Sequence, residues 1–388
     1  MSTETSHTFL FANEEHIKQD LLTLVKAESP SHDIQLLKEC ELVVKEIFQK
    51  HFADRFTLQE FKSEGNGTHL LYEIKDDSKP RILLMSHYDT VWNKGELQIV
   101  EEGDTIYGPG IFDMKAGLIS SIWAIDSLLH VEKELPFSPV FLFTADEETG
   151  SESSRDIIET VAKTCDAVFV MEPAEAHTDA LKTERKGVGR FDIEVTGKSA
   201  HAGNHHEDGV NAIVEIAKLI VKLEKLTDYS TGTTVNVGTI HGGSTSNVVP
   251  EKAKIEVDFR ITSAEEGERI EKVIQSLTAE DDRVSLSIKG GINRPPLEKN
   301  EKNKRLFELA QRTGQKLGMN ITESSVGGGS DGNFTSPLGI PTIDGLGIPG
   351  DGAHARNEHI LFNKFTEKCA FVAELCMEFS EAKIKENV

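Results

Sequence analysis

Three short apolar runs in this chain each stop at residues able to hold a metal ion or move a proton. Residues 81–85 lead into Ser86-His87-Tyr88-Asp89, residues 140–144 into Ala145-Asp146-Glu147-Glu148, and residues 167–171 into Glu172. Runs this short, alternating with helical patterns such as residues 116–129, read as strands of a largely parallel sheet covered on both faces by helices. Open α/β sheets place their ligands in the crevice beyond the carboxyl ends of the strands, where these polar residues fall. With Asp113 and the distant His354 they form a set of hard and borderline metal ligands, which points to a metal-dependent hydrolase site.

Length and charge bound the alternatives. At 388 residues the chain exceeds the roughly 250–300 at which a single core stops growing, so two domains are expected. Lys and Arg against Asp and Glu give 42 − 65 = −23, which repels polyphosphate and anionic membrane surfaces; no nucleic acid and no membrane partner is expected. No apolar run approaches the roughly 18 residues needed to cross a bilayer. The start, Met1-Ser2-Thr3-Glu4-Thr5-Ser6-His7, lacks the basic flank and apolar stretch of a secretory signal, so a cytoplasmic location is expected. Cys40, Cys165, Cys369 and Cys376 are scattered without a C-x-x-C pair and read as buried reduced thiols, not ligands.

Along the chain, Asn13 is placed to cap a helix carrying Ile17, Leu21, Leu24 and Val25, stopped by Ser29-Pro30-Ser31. A second amphipathic helix follows, with Ile34, Leu37, Val44, Ile47 and Phe48 on or near one face. Near Thr183 the pattern changes. A strand at 187–195, a helix at 209–226, strands at 234–240 and 254–261, a helix at 264–277 and a strand at 284–288 give the order β-α-β-β-α-β of a ferredoxin-like unit. It is expected as an inserted lid and dimerisation domain over residues 184–293, splitting a catalytic domain into 1–183 and 294–388, which resumes with a helix at 303–317.

Two residues apart on an extended run, His87 and Asp89 share a face, and Asp89 is placed to fix the imidazole tautomer. A lone H-x-D also fits a strand-end histidine paired with an acid. Asp113, in Tyr107-Gly108-Pro109-Gly110-Ile111-Phe112-Asp113-Met114-Lys115, reads either as a helix N-cap or as a carboxylate with both oxygens free to bridge two ions. The acids Asp146-Glu147-Glu148 after an interior run would repel one another strongly without a cation. One glutamate can bind the ion while its neighbour works as a base. His354 falls in the glycine-rich segment 345–355, where a surface histidine is the plain alternative. Asp113, Glu148 and Glu172, with one hydroxide, would neutralise two divalent ions.

Taken together, the histidine-x-aspartate, the glycine-rich loop to Asp113, Glu147-Glu148-Thr149-Gly150, Met171-Glu172-Pro173, the inserted domain and the late histidine resemble the dinuclear-zinc exopeptidases and deacylases. That family includes glutamate carboxypeptidase, aminoacylase, acetylornithine deacetylase and succinyl-diaminopimelate desuccinylase. The resemblance is closest to the glutamate carboxypeptidase type, through Gly327-Gly328-Gly329-Ser330-Asp331 and Gly345-Leu346-Gly347-Ile348-Pro349-Gly350.

The resemblance implies two zinc ions, with cobalt or manganese as substitutes: one held by His87 and Glu172, the other by Glu148 and His354, with Asp113 bridging and Glu147 as general base. It implies that His201, in Gly197-Lys198-Ser199-Ala200-His201-Ala202-Gly203, reaches the partner's active site in a homodimer, and that Asn247 and Arg260 contact substrate. Each of these three residues also reads as a turn or strand-end polar group. Residues 327–332 satisfy G-x-G-x-x-G literally, but they lie late in the chain and open no first βαβ unit. Backbone N–H groups at Gly328 and Gly329 can instead cradle a substrate carboxylate. Glu172, where aminopeptidases of the family carry aspartate, implies a free carboxylate beside the scissile amide. The expected substrate is a small peptide losing a C-terminal residue such as glutamate, or else an N-acyl amino acid; a metal-binding homologue without turnover is the rival from another class.

Overall fold

Along the strand Arg81–His87, successive side chains enter different cores, which sets the layering of the whole first unit. Ile82 and Leu84 join one core with Phe48, Trp123 and Phe371, while Leu83 and Met85 join a second with Ile158 and Phe334. In this computed structural model, which describes residues 5–63, 65–76 and 78–386, the chain forms two compact units. The first comprises Met1–Glu184, Lys299–Val326 and Ser330–Val388; the second comprises Arg185–Glu298 with Gly327–Gly329.

In the first unit a six-stranded sheet runs in the order Thr57–Lys62, Thr68–Glu73, Ser138–Thr144, Arg81–His87, Ala167–Val170, Thr342–Ile343. The last four strands are parallel. The first two form an antiparallel flank. Helices Glu14–Lys26, Ile34–Phe52, Ala116–Val131, Glu301–Lys316 and Phe365–Glu386 contribute to the core on one face, and Arg155–Ala162 and Gly332–Thr335 to the core on the other. This is a mixed α/β fold with a largely parallel central sheet.

One local reading needs correction, and one hairpin is not foreseen from the sequence. Asn13 does not cap the helix Glu14–Lys26 through its side chain, because a preceding helix, Ser6–Ala12, engages it: the Asn13 amide donates to the Phe9 carbonyl (2.9 Å). The hairpin Thr57–Glu73 adds two strands: the inner one is short and buried through Leu70, Leu71 and Tyr72, and the outer one is largely exposed and polar, so no apolar run announces it. A further small sheet, in the order Gly350–Asp351, His359–Leu361, Thr105–Tyr107, Val100–Glu102, carries the loop of His354 between its first two strands.

In the second unit, Gly187–Thr196, helix Ala212–Glu224, Thr234–Gly242, Lys252–Ile261, helix Ala264–Gln275 and Ser285–Arg294 follow in β-α-β-β-α-β order. Lys252–Ile261 and Gly187–Thr196 lie centrally in an antiparallel sheet, with Thr234–Gly242 and Ser285–Arg294 at the edges. Alternate residues Ile193, Val195, Val257 and Phe259 pack against Ile216, Leu219 and Ile270 of the two helices. Backbone pairing of Arg185 with Leu297 carries the unit on to Glu298. All four cysteines are buried and free, and no helix among the described residues is long and apolar enough to cross a membrane.

The helix Ala116–Val131 approaches the strand end before Glu172 so closely that a Cβ on Gly117 would lie 1.8 Å from the Met171 carbonyl oxygen. In an exposed helix Gly→Ala stabilises by roughly 1 kcal/mol. Here the contact is with backbone, so Gly117→Ala should instead lower stability by about 1–3 kcal/mol. A urea midpoint equal to or above that of the parent would contradict this packing.

Candidate metal centre

Each group of the site is delivered by an element with its own reason for ending there. His87 closes the strand Arg81–His87, Glu147 and Glu148 form a short turn after Ser138–Thr144, and Glu172 lies two residues beyond the end of Ala167–Val170. Asp113 sits in a distorted turn, Ile111–Lys115, ahead of the helix Ala116–Val131, with a cis peptide bond to Met114. His354 stands at the tip of the Gly350–His359 connection with φ +60°, a left-handed conformation uncommon for a residue with a side chain.

The structure brings five of these groups together. His87 Nε2 lies 3.2 Å from Asp113 Oδ1 and 3.5 Å from Glu172 Oε1. His354 Nε2 lies 3.4 Å from Asp113 Oδ2 and 3.1 Å from Glu148 Oε2. Two ligands held about 2.0–2.1 Å from one tetrahedral ion stand roughly 3.3 Å apart, so these separations match donors that share an ion. Asp113 presents one oxygen to each histidine. Glu147 Oε2 is 4.0 Å from His87 Nε2, close to these groups but beyond the separation of the paired donors.

Asp89, fully buried, anchors the backbone of Glu147 and Glu148 as well as the His87 imidazole. Its Oδ1 accepts from Glu147 N (3.2 Å), and its Oδ2 accepts from Glu148 N (3.2 Å) and Ser31 Oγ (2.8 Å). His87 Nδ1 is 3.0 Å from the Asp89 carbonyl oxygen and 3.3 Å from Oδ1; a proton held there leaves the Nε2 lone pair toward Asp113 and Glu172. Asp146, the first of the three consecutive acids, is an anchor rather than a ligand: its carboxylate accepts from the backbone N–H and hydroxyl groups of Ser153 and Ser154.

Crowding sets the electrostatics. Burial works to lower the His87 imidazole, but hydrogen bonds with Asp113, Asp89 and Glu172 hold it well above its ordinary value. His354 is raised to about 11 by hydrogen bonds with Asp113 and Glu148. Glu148 is pushed up to about 7, first by burial and then by the Asp113 charge. Burial also acts to raise Asp113, yet the two histidines hold its carboxyl well below the usual range. The acids that hold protons on the two rings are the same groups that would hold cations, and metal binding displaces such protons. Glu148 Oε1 is moreover a buried carboxylate oxygen with no hydrogen-bond partner among the described residues. Donor types, spacing and this orphaned oxygen all fit a pair of divalent ions.

One further acid is built into this region. Glu358, buried, accepts from the backbone N–H groups of Gly110, Phe112 and Asp113 and from the Trp92 indole. Burial raises its carboxyl to about 7 against these donors. In the sequence it looks like any loop glutamate, and only the folded turn marks it.

The remaining candidates lie in the second unit. His201 Nδ1 accepts from Gly203 N (3.0 Å) and Asn204 N (3.1 Å), which places the neutral ring's proton on Nε2. The Thr245 hydroxyl donates to Asn247 Oδ1 (3.0 Å), and the Asn247 carbonyl accepts from Ala202 N (3.0 Å), so Asn247 and His201 belong to one loop cluster. Arg260 is in a two-point pair with Asp258, Nε to Oδ1 2.9 Å and Nη2 to Oδ2 3.0 Å. The carbonyls of Gly328 and Gly329 accept from Arg185 Nη1 at 3.0 and 3.2 Å. Arg185, which holds this glycine loop, carries no signal in the sequence.

Comparison with known proteins identifies the family. The profile of peptidase family M20/M25/M40 matches residues 83–378. The chain belongs to this family. It is 31% identical to carboxypeptidase G2 of Pseudomonas sp. (strain RS-16) over 340 residues, covering 84% of this chain and 81% of that protein. It is 25% identical to the succinyl-diaminopimelate desuccinylase of Herminiimonas arsenicoxydans over 316 residues, 76% of this chain and 83% of the other. Among solved structures, an M20 family metallo-carboxypeptidase from Sulfolobus solfataricus superposes with a TM-score of 0.74 over 94% of this chain and 99% of that one, at 20% identity. The protein is therefore an M20-family metallohydrolase acting on peptide-type bonds, and the family is metal-dependent.

If Asp113 is shared, Asp113→Ala should lose both ions, whereas His354→Ala should lose one and keep the other. Metal analysis after dialysis reads this directly; two ions retained by Asp113→Ala would contradict the shared ligand.

Proposed function

We propose that this protein is a zinc-dependent carboxypeptidase that hydrolyses an amide bond next to a free carboxylate, releasing a C-terminal amino acid such as glutamate. The observation that carries the proposal is Asp113, whose two carboxylate oxygens face His87 and His354 separately. His87 and Glu172 would hold one ion, Glu148 and His354 the other, with Asp113 between them; cobalt or manganese fits the same nitrogen and oxygen donors. When bound, such ions supply Lewis acidity, which brings the pKa of a water toward neutrality and polarises a carbonyl.

The chain's own groups do the rest. Glu147, held by its backbone N–H to Asp89, takes a proton on its carboxylate and returns it to the leaving nitrogen. His201, with its proton on Nε2, is a donor for the oxyanion, contributed to the partner's site in a homodimer. Asn247 orients the substrate amide. Arg260 takes the substrate carboxylate with its remaining N–H groups or by exchanging Asp258 for it, and N–H groups at Gly328 and Gly329 can assist. The dimer would form through the second unit as lid. Its edge strand Thr234–Gly242 leaves one ladder unpaired among the described residues, and Ile213, Val214, Val221 and Ile240 are exposed on that strand and the helix Ala212–Glu224. Ile213 adjoins Gly242, which makes strand and helix one patch. Four thiols without a disulfide favour the cytoplasm.

A second reading, an N-acyl amino acid deacylase, is favoured by the similarity to a desuccinylase. It needs the same groups, because its substrates also carry a carboxylate beside the amide. A panel of C-terminal glutamyl peptides and N-acyl amino acids separates the two by which member releases free amino acid fastest. On whichever substrate is used, Glu147→Ala should retain wild-type metal content and lose about 10²–10⁴-fold in turnover. Near-normal turnover in that variant would remove Glu147 as the base, and release without dependence on metal would remove the proposal.

A further inference from the structure

The turn that presents Asp113 is held by one buried side chain that the roles above leave unused. Glu358 lies four residues after His354, where the connection from Gly350–Asp351 returns into the strand His359–Leu361. Its Oε1 accepts from Phe112 N (2.9 Å) and Asp113 N (3.1 Å), and its Oε2 from Gly110 N (3.1 Å) and Trp92 Nε1 (2.5 Å). Its backbone joins the same junction: its N–H donates to the Ala355 carbonyl (2.9 Å) and its carbonyl accepts from Gly108 N (3.3 Å). Four N–H donors, with no acceptor among the described residues, form a surrounding that the two oxygens of a carboxylate satisfy and the single oxygen of an amide cannot. At the start of this turn Gly110 has φ +67°, and a Cβ there would meet Thr90 Cγ2 at 2.3 Å, so the backbone has little freedom to move sideways.

We propose that Glu358 is a positioning residue that sets the Asp113 carboxylate between the two ions by tying the backbone of residues 110–113 to the loop that carries His354. The proposal rests on the metal reading given above. Glu358 contacts no ligand side chain in the hydrogen bonds described; it acts through the N–H of Asp113 and through chain connection to His354, thereby fixing the spacing between ligands from two distant parts of the sequence.

The test is cobalt(II) titration of the full chain after metal removal, followed by visible absorption and by metal analysis, for the parent, Glu358→Gln and Trp92→Phe. Glutamine keeps the size but offers a single acceptor oxygen. Glu358→Gln should melt like the parent when metal-free, bind both cobalt ions about 10–100-fold more weakly, and show an altered cobalt absorption band. Trp92→Phe removes one donor and leaves the carboxylate, so it should show a smaller loss in the same direction. If Glu358→Gln does not fold, Trp92→Phe carries the test: weaker cobalt binding at an unchanged metal-free melt supports the proposal, and unchanged binding overturns it. Parent-like cobalt affinity and absorption in a folded Glu358→Gln also overturn it, while leaving the metal reading intact. A parent that binds no cobalt overturns both.

Discussion

Mutual repulsion among buried carboxylates is the constraint on which the first unit is organised. Asp113, Glu148 and Glu172 converge on two imidazoles at nitrogen–oxygen separations of 3.1–3.5 Å. Two like charges about 4 Å apart cost on the order of 4 kcal/mol each pair at an effective dielectric of 20. Asp113 and Glu148, with facing oxygens within 4.8 Å of each other, form a pair of this kind, which persists where protons or cations balance it. The crowding raises both histidines and Glu148, and a divalent ion would answer it with directed bonds.

Holding the acids together takes a rigid frame, and the sheet supplies it. Parallel strands stop at the same level, so His87, Glu147, Glu148 and Glu172 arrive from three neighbouring strand ends without long loops. Buried carboxylates then fix the ends that strands alone would leave loose. Asp89 clamps the backbone of Glu147 and Glu148, Asp146 binds the turn at Ser153 and Ser154, and Glu358 binds the turn of Asp113. Thus several acids in this region act by accepting N–H donors, while Asp113, Glu148 and Glu172 are left to face the two imidazoles.

How much of this is readable from sequence depends on whether a residue's signal is local. The strands Arg81–His87, Ser138–Thr144 and Ala167–Val170 are apolar and sharply ended, so the largely parallel sheet and the polar groups at its edge can be read directly. The second unit shows alternation and helical spacing strong enough to give its β-α-β-β-α-β order. The hairpin Thr57–Glu73 escapes because its outer strand faces solvent and lacks an apolar run. Asn13 is misread because a helix ahead of it competes for its side chain. Glu358 and Arg185 escape for a different reason: their partners lie more than 140 residues away in the chain, and nothing in their immediate neighbours distinguishes them from surface charges.

The central claim is that Asp113 stands between two ions at this site. Anomalous diffraction from crystals of the zinc-loaded protein, collected on either side of the zinc absorption edge, tests it most directly. Two peaks about 3.5–4 Å apart, one beside His87 and Glu172 and the other beside Glu148 and His354, with Asp113 reaching both, is the predicted result. A single peak, or peaks not joined by Asp113, would contradict the account.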